Sequence, residues 1–177
     1  VFLSVSARTA GFSTIDLGVA QLQTAVILMA LMFVGGASGS TAGGIKVNTL
    51  GVILSTVCAS VRNRNYVEVF HKEIPFAQVQ RALAVAFLAV TFVAVVSFLL
   101  VITERFPFDR ILFEVVSAFA TTGLSTGITP ELSVIGKTLI VVTMFIGRIG
   151  PLTIALALGQ GQRHAVYRYS QERIKIG

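Results

Sequence analysis

The chain has 177 residues, of which 54% are apolar and only 12% charged, with a mean hydropathy of +0.84; this excludes an ordinary soluble domain, where about a quarter of residues carry charge. Its net charge of +6 comes from cations grouped beside apolar segments, the placement of a membrane chain and not of a nucleic-acid binder. A lone cysteine, Cys58, excludes an internal disulfide, and His71 and His164 stand far apart without neighbouring ligands, so no metal cluster is expected.

In chain order, a polar stretch through Thr14 comes first and an apolar run, Val19–Val34, follows. Gly35 to Gly44 then supplies five glycines in ten residues before a second apolar run, Ile45–Val61. Each glycine costs a helix about 1 kcal/mol relative to alanine, so one span broken in mid-membrane is expected. Arg62, Arg64, Lys72 and Arg81 mark a cytoplasmic connection. Ala82–Ile102 is 21 residues without a charge, enough for the roughly 20 residues that a membrane helix needs. Being internal and lacking a cleavage region, it is no signal peptide.

A short connection from Thr103 to Arg110 balances two cations with two acids. Ile111–Thr121, 11 residues, is too short to cross and suits a half-helix that enters and stops. The polar Thr122–Thr129 follows, then an apolar run from near Leu132 to Leu158, interrupted by Arg148, Gly150 and Pro151. Arg163, Arg168, Arg173 and Lys175 close the chain as a second cytoplasmic basic cluster.

The sequence repeats at an offset of 112. Thr9-Ala10-Gly11-Phe12-Ser13-Thr14 lies on Thr121-Thr122-Gly123-Leu124-Ser125-Thr126, and Met32-Phe33-Val34-Gly35 on Met144-Phe145-Ile146-Gly147, without gaps. The pattern is span, half-helix, polar loop, span, with the first copy truncated at its start. Non-helical backbone at membrane depth is tolerated only inside protein or around a water-filled cavity, which makes the repeated loop a candidate ion path. Because the chain starts inside such an element, it is expected to be part of a longer protein.

Ser6 to Thr14, Gly35 to Lys46, Ala120 to Gly127 and Met144 to Pro151 together resemble, in order, the Trk/Ktr/HKT superfamily of potassium transporters. The resemblance covers almost the whole chain. It implies an all-α membrane protein built from membrane–pore–membrane repeats with re-entrant half-helices and filter loops. Residues 1–64 would be a truncated third repeat, 65–81 a cytoplasmic connection, 82–160 the fourth repeat and 161–177 a cytoplasmic tail. The expected activity is potassium uptake across a bacterial plasma membrane by a multi-pass, Ktr-like subunit, with no enzymatic role. No cofactor is implied beyond the transported K+, with Na+ as a candidate co-requirement. The implied partners are a second membrane subunit in a homodimer, a cytosolic nucleotide-binding regulatory ring, and membrane lipid.

A cation sheds its water only where several oxygens converge on it, and backbone carbonyls supply these in potassium filters. Gly11 and Gly123 occupy equivalent places, flanked by Thr9, Ala10, Phe12, Thr121, Thr122 and Leu124 as carbonyl donors. The plainer alternative is a pair of ordinary turns that need glycine. Gly35, Gly36, Ser38, Gly39, Ser40, Thr41, Gly43 and Gly44 have three readings. A phosphate loop fails because Ile45 stands where lysine is required. Helix packing through Gly35/Gly39 and Gly39/Gly43 is possible. The resemblance implies an intramembrane gate beneath the filter.

Arg148, whose counterpart is Gly36, has to face the bundle interior or water. It either caps carbonyls freed by Gly150 and Pro151 or, as the resemblance implies, stands beside the pathway. There it would repel a potassium ion by roughly 3 kcal/mol at about 6 Å and an effective dielectric of about 20. The rival functions are a sodium or mixed-cation transporter of the same fold and, in a different class, a membrane scaffold or intramembrane enzyme. Two further span–half-helix–loop units upstream would separate the pore from the second class.

Overall fold

The structure, a computed structural model, describes residues 2–37, 43–62, 66–69, 72–150 and 153. Among these are six α-helices: α1 (Phe2–Ser6), α2 (Leu22–Phe33), α3 (Val47–Val61), α4 (Phe76–Thr103), α5 (Phe108–Phe119) and α6 (Val134–Ile149). A four-residue departure from the all-α expectation lies in the 65–81 connection. There β1 (Glu68–Val69) and β2 (Lys72–Glu73) pair antiparallel, with Glu68 opposite Glu73 and Val69 opposite Lys72. Valine on either side of Glu68 favours extended backbone, which the charge-based reading of that connection had no means to detect.

The long apolar run becomes α4, whose 28 residues extend about 42 Å at 1.5 Å per residue, more than the roughly 30 Å hydrocarbon core. It begins immediately after Pro75 and α5 immediately after Pro107. Both prolines fall where the backbone is extended and no intrahelical N–H is needed. Asp109 in the first turn of α5 also suits the positive end of the helix dipole. Large apolar side chains of α4 such as Phe87, Phe98 and Ile102 are exposed, as are Ile135 and Phe145 of α6. A water-soluble surface rarely tolerates so much, whereas lipid or neighbouring membrane protein accepts it.

α5 is the core element. It packs against α2, α4 and α6, and Phe113 to Phe119 are all buried. The ring of Phe119, fully buried, lies 6.1 Å from Phe33 of α2 and 6.0 Å from Phe92 of α4, tilted against both. At 12 residues it extends only about 18 Å. The close packing continues on the α6 side. A Cβ on Gly147 would fall inside the envelope of the Phe119 carbonyl oxygen, so only glycine lets α6 approach the end of α5 so closely.

α2 and α3, with 12 and 15 residues, extend about 18 and 22 Å, each short of the core thickness. An isolated parallel bridge joins Val34 to Ile45. Gly35 N–H donates to the Ile45 carbonyl at 2.8 Å and Val47 N–H to the Gly36 carbonyl at 3.2 Å. The chain therefore leaves the α2 end, returns to the same place and proceeds in the same direction. α2 begins at Leu22 and not at Val19 because Asp16 takes the Gly18 N–H at 2.8 Å and folds Leu17–Val19 into a 3-10 turn.

Candidate functional site

The backbone of the two glycine loops repeats at the same offset as their sequence. Thr9 and Thr121 have φ of 72° and 53°, and they are the non-glycine residues with positive φ among those described. Gly11 and Gly123, two residues further on, have φ of 73° and 90°. Single 3-10 turns follow at Leu17–Val19 and Thr129–Glu131, and helices start at Leu22 and Val134. All these pairs are 112 residues apart. Left-handed backbone costs a non-glycine residue about 1 kcal/mol or more, so the same strain is held twice at one place in the repeat. Ala10 and Thr122 between them keep negative φ. Such alternation lets successive carbonyls turn toward one side of the chain, where an ordinary strand alternates them.

The two loops meet. A Cβ on Gly11 would collide with the Thr122 carbonyl oxygen, and one on Gly123 would lie 3.9 Å from the Cα of Gly11. In the first loop the N–H groups of Ala10 and Gly11 both donate to the Ser6 carbonyl at 3.1 Å, while the Ser6 hydroxyl donates to the Phe12 carbonyl. In the second, Thr121 N–H donates to Ala118 at 3.1 Å and Thr122 N–H to Ser117 at 3.0 Å. Gly11 is thus brought against Thr122 and Gly123, with Thr9, Ala10 and Phe12 beside it on one loop and Thr121 and Leu124 on the other. Their surroundings differ: Phe12 is 72% exposed and Leu124 2%.

The glycine-rich segment touches the start of the second loop. Gly43 N–H donates to the Thr121 Oγ1 at 3.1 Å, and a Cβ on Gly44 would lie 3.5 Å from the Ala120 Cα. Gly35 and Gly36 lie at the end of α2 and bond the start of the returning chain. Ser38, Gly39, Ser40 and Thr41 lie outside the described residues. Arg148 occupies the last turn of α6, exposed, one residue beyond the Gly147 that packs on Phe119. Gly43, Gly44 and Gly147 therefore all meet the chain between Phe119 and Thr121, where α5 ends and the loop begins. Pro151 lies outside the described residues; Gly150, with φ of 94°, closes α6 by donating to Ile146 at 2.9 Å.

A family described as "TrkH: Cation transport protein" matches residues 1–162. The chain belongs to the TrkH cation-transport family. It is 42% identical over 176 residues to the "Ktr system potassium uptake protein B" of Bacillus subtilis, covering 99% of this chain and 39% of that protein. To the protein of the same name in Vibrio alginolyticus it is 39% identical, with 99% and 38% covered. To the "Potassium/sodium uptake protein NtpJ" of Enterococcus hirae it is 40% identical over 182 residues, with 99% and 40% covered. The chain spans about two fifths of the length of these curated relatives. Membership in this family, with the length of α4, places the chain in the plasma membrane as part of a multi-pass protein. The family is one of cation transporters and not of enzymes.

Two side chains of this TrkH-family chain escaped the sequence reading. Glu114, buried at 5% exposure, sits within α5 and accepts four hydrogen bonds from the loop that follows. Arg110, one turn earlier, donates to the Gly18 carbonyl at 3.3 Å and so ties α5 to the first loop. The signal for Glu114 was present: an acid inside an apolar segment at membrane depth is a functional candidate by default.

Proposed function

We propose that this chain supplies two pore repeats of a Ktr-type potassium-uptake subunit, with α5 as a re-entrant half-helix and the two glycine loops as two sides of a selectivity filter. The observation that carries this reading is the paired left-handed geometry at Thr9/Gly11 and Thr121/Gly123, in loops that touch. Carbonyls turned to one side can replace the hydration shell of a dehydrated cation. The C-terminal end of α5, directly before Thr121, adds the negative end of its dipole there. Tolerating strain at both threonines is expected where the backbone serves ligand geometry.

Gly43 and Gly44, in contact with the inner end of that loop, and Gly35 and Gly36, bonded to the same returning chain, would belong to a gate beneath it, with Arg148 as an electrostatic barrier at the same depth. The domain limits stated above, 1–64, 65–81, 82–160 and 161–177, belong to this reading. The relatives named as parts of a Ktr system support a multicomponent assembly. A homodimer on a cytosolic nucleotide-binding ring fits it, with the basic segments Arg62–Lys72 and Arg163–Lys175 facing that ring or anionic lipid. A second reading, mixed potassium and sodium transport, is favoured by the name of the Enterococcus relative.

The test is uptake by the full-length protein in transport-deficient cells, with and without sodium. Saturable potassium uptake supports the proposal. Sodium uptake in preference to potassium would move it to the second reading, and no cation flux from an assembled protein would overturn both. Deleting part of Gly36–Gly43 should raise potassium flux and loosen its regulation, since a glycine cluster holds low local stability. Normal flux and regulation in an assembled deletion would remove the gate.

A further inference from the structure

The geometry points to Glu114 as a positioning residue that sets cation selectivity by bracing the outer half of the second loop; this rests on the filter reading above. Among the described residues, its carboxylate bonds the returning segment of its own repeat. Oε1 accepts from the Ser125 hydroxyl at 2.6 Å, the Thr126 N–H at 2.9 Å and the Thr126 hydroxyl at 3.2 Å. Oε2 accepts from the Thr129 hydroxyl at 2.8 Å. An ionised carboxylate offers about four acceptor sites and no donor, and all four contacts use it in that sense. Hydrogen bonds to a charged group are roughly twice as strong as neutral ones, and burial strengthens them further.

The consequence is mechanical. Thr121 to Ile128 alternate in burial, with Thr122, Leu124, Thr126 and Ile128 turned inward and the residues between them more open. Glu114 holds the inward set at Thr126 and secures Ser125 and Thr129 on either side of it. From Thr126 the brace reaches the first loop, because a Cβ on Gly18 would lie 2.9 Å from the Thr126 carbonyl oxygen. Gly18 is in turn held through its carbonyl by Arg110, four residues before Glu114 on the same helix. One face of α5 therefore fixes both loops at their outer ends. The position 112 residues before Glu114 is Phe2, which is exposed and can accept nothing. The buried carboxylate is therefore a feature of the second repeat alone, and the first loop is reached only through Gly18.

Neither Glu114 nor its hydroxyl partners belong to the positions proposed to coordinate the ion. Selectivity should depend on them through loop geometry, in the full-length protein in its native membrane assembly. The variants are Glu114→Gln, which keeps shape and removes charge, and the pair Thr129→Val and Thr129→Ser, similar in bulk but differing in the hydroxyl. The readouts are membrane abundance, half-saturation for potassium, and the ratio of potassium to sodium uptake. Glu114→Gln is expected to lower that ratio by about tenfold, the scale set by one charged hydrogen bond. Thr129→Val should lower it by about threefold, with maximal rate and abundance kept, and Thr129→Ser should restore it.

If Glu114→Gln does not reach the membrane, the Thr129 pair decides. Parent-like ratios in Thr129→Val, or in Glu114→Gln at parent abundance, overturn the proposal. A parent protein that carries cations without preference overturns the filter reading and this inference with it, whereas a selective parent with unaffected variants overturns this inference alone.

Discussion

The two glycine loops share a backbone and almost nothing else. In the second, residues 121–128 alternate between buried and open, a buried carboxylate holds the outer end, and Gly43 holds the inner end. In the first, Ala10 and Phe12 to Asp16 are all exposed, and local bonds hold the shape: Ser6 to Phe12, Ser13 to Ile15, Asp16 to Gly18. Similar left-handed φ values in such different surroundings teach that the pattern is written into the loop sequence, because apart from the Gly11–Thr122 contact the two loops share little packing. What packing adds is rigidity, and it adds it to one side only. If four repeats enclose one pathway, the exposed first loop is the one whose supports lie in parts of the protein beyond this chain.

The largest effect should come from the point where the loops touch. Gly11→Ser meets both a left-handed backbone and the Thr122 carbonyl, whereas Gly123→Ser meets the backbone penalty, about 1–2 kcal/mol, with only an ordinary van der Waals contact, 3.9 Å from the Gly11 Cα. In the full-length protein both should weaken potassium preference, Gly11→Ser by tenfold or more on the scale of about 1.4 kcal/mol per decade, Gly123→Ser by less. Flux ratios at matched abundance measure this. Parent-like preference in both variants would mean that the loops are turns and not a filter.

Stability of the purified full-length protein sharpens the comparison at the next residue. Leu124→Ala empties a site that is 2% exposed and should cost about 2–5 kcal/mol. Phe12, open in this chain, should cost nothing on these contacts alone. A clear loss of thermal stability in Phe12→Ala would place further repeats over it; an unchanged midpoint would leave it facing water or lipid and break the four-repeat reading.

How much of this was legible beforehand follows the kind of signal. The long helix over Ala82–Ile102 and the short helix after it could be read because apolar length limits what a segment can do in a bilayer. The break after Val34 could be read because glycine density has one meaning for a helix. The offset of 112 predicted the pairing of Thr9 with Thr121 and Gly11 with Gly123, but a repeat says nothing of which partners each copy finds. Glu114 was illegible in its role because its four donors lie 11 to 15 residues away, on a segment whose return path only the fold defines. The Gly43–Thr121 contact, 78 residues apart, was equally beyond any local pattern. The notion of a gate anticipated only its neighbourhood.

That contact yields the smallest and most discriminating prediction. Thr9 and Thr121 carry the same backbone strain, so glycine relieves about 1 kcal/mol at each and returns about as much through the greater freedom of the unfolded chain. For Thr9, whose hydroxyl among the described residues bonds the carbonyl of its neighbour Arg8, the two terms nearly cancel and Thr9→Gly should leave stability unchanged. Thr121→Gly has the same two terms and also strips the acceptor from the Gly43 N–H. A net hydrogen bond is worth about 1 kcal/mol, so Thr121→Gly should be the less stable of the pair by about that amount. Thr121→Ser keeps the hydroxyl and should track the parent. The same variants separate strain from contact in function: if the Gly43 bond helps hold the glycine-rich segment against the filter, Thr121→Gly should raise basal flux and Thr9→Gly should not. Equal stability and equal flux in the two glycine variants would show that the link between segment and loop carries no energy. The two loops would then be set apart by burial along their length and by the brace at the outer end, where Glu114 acts.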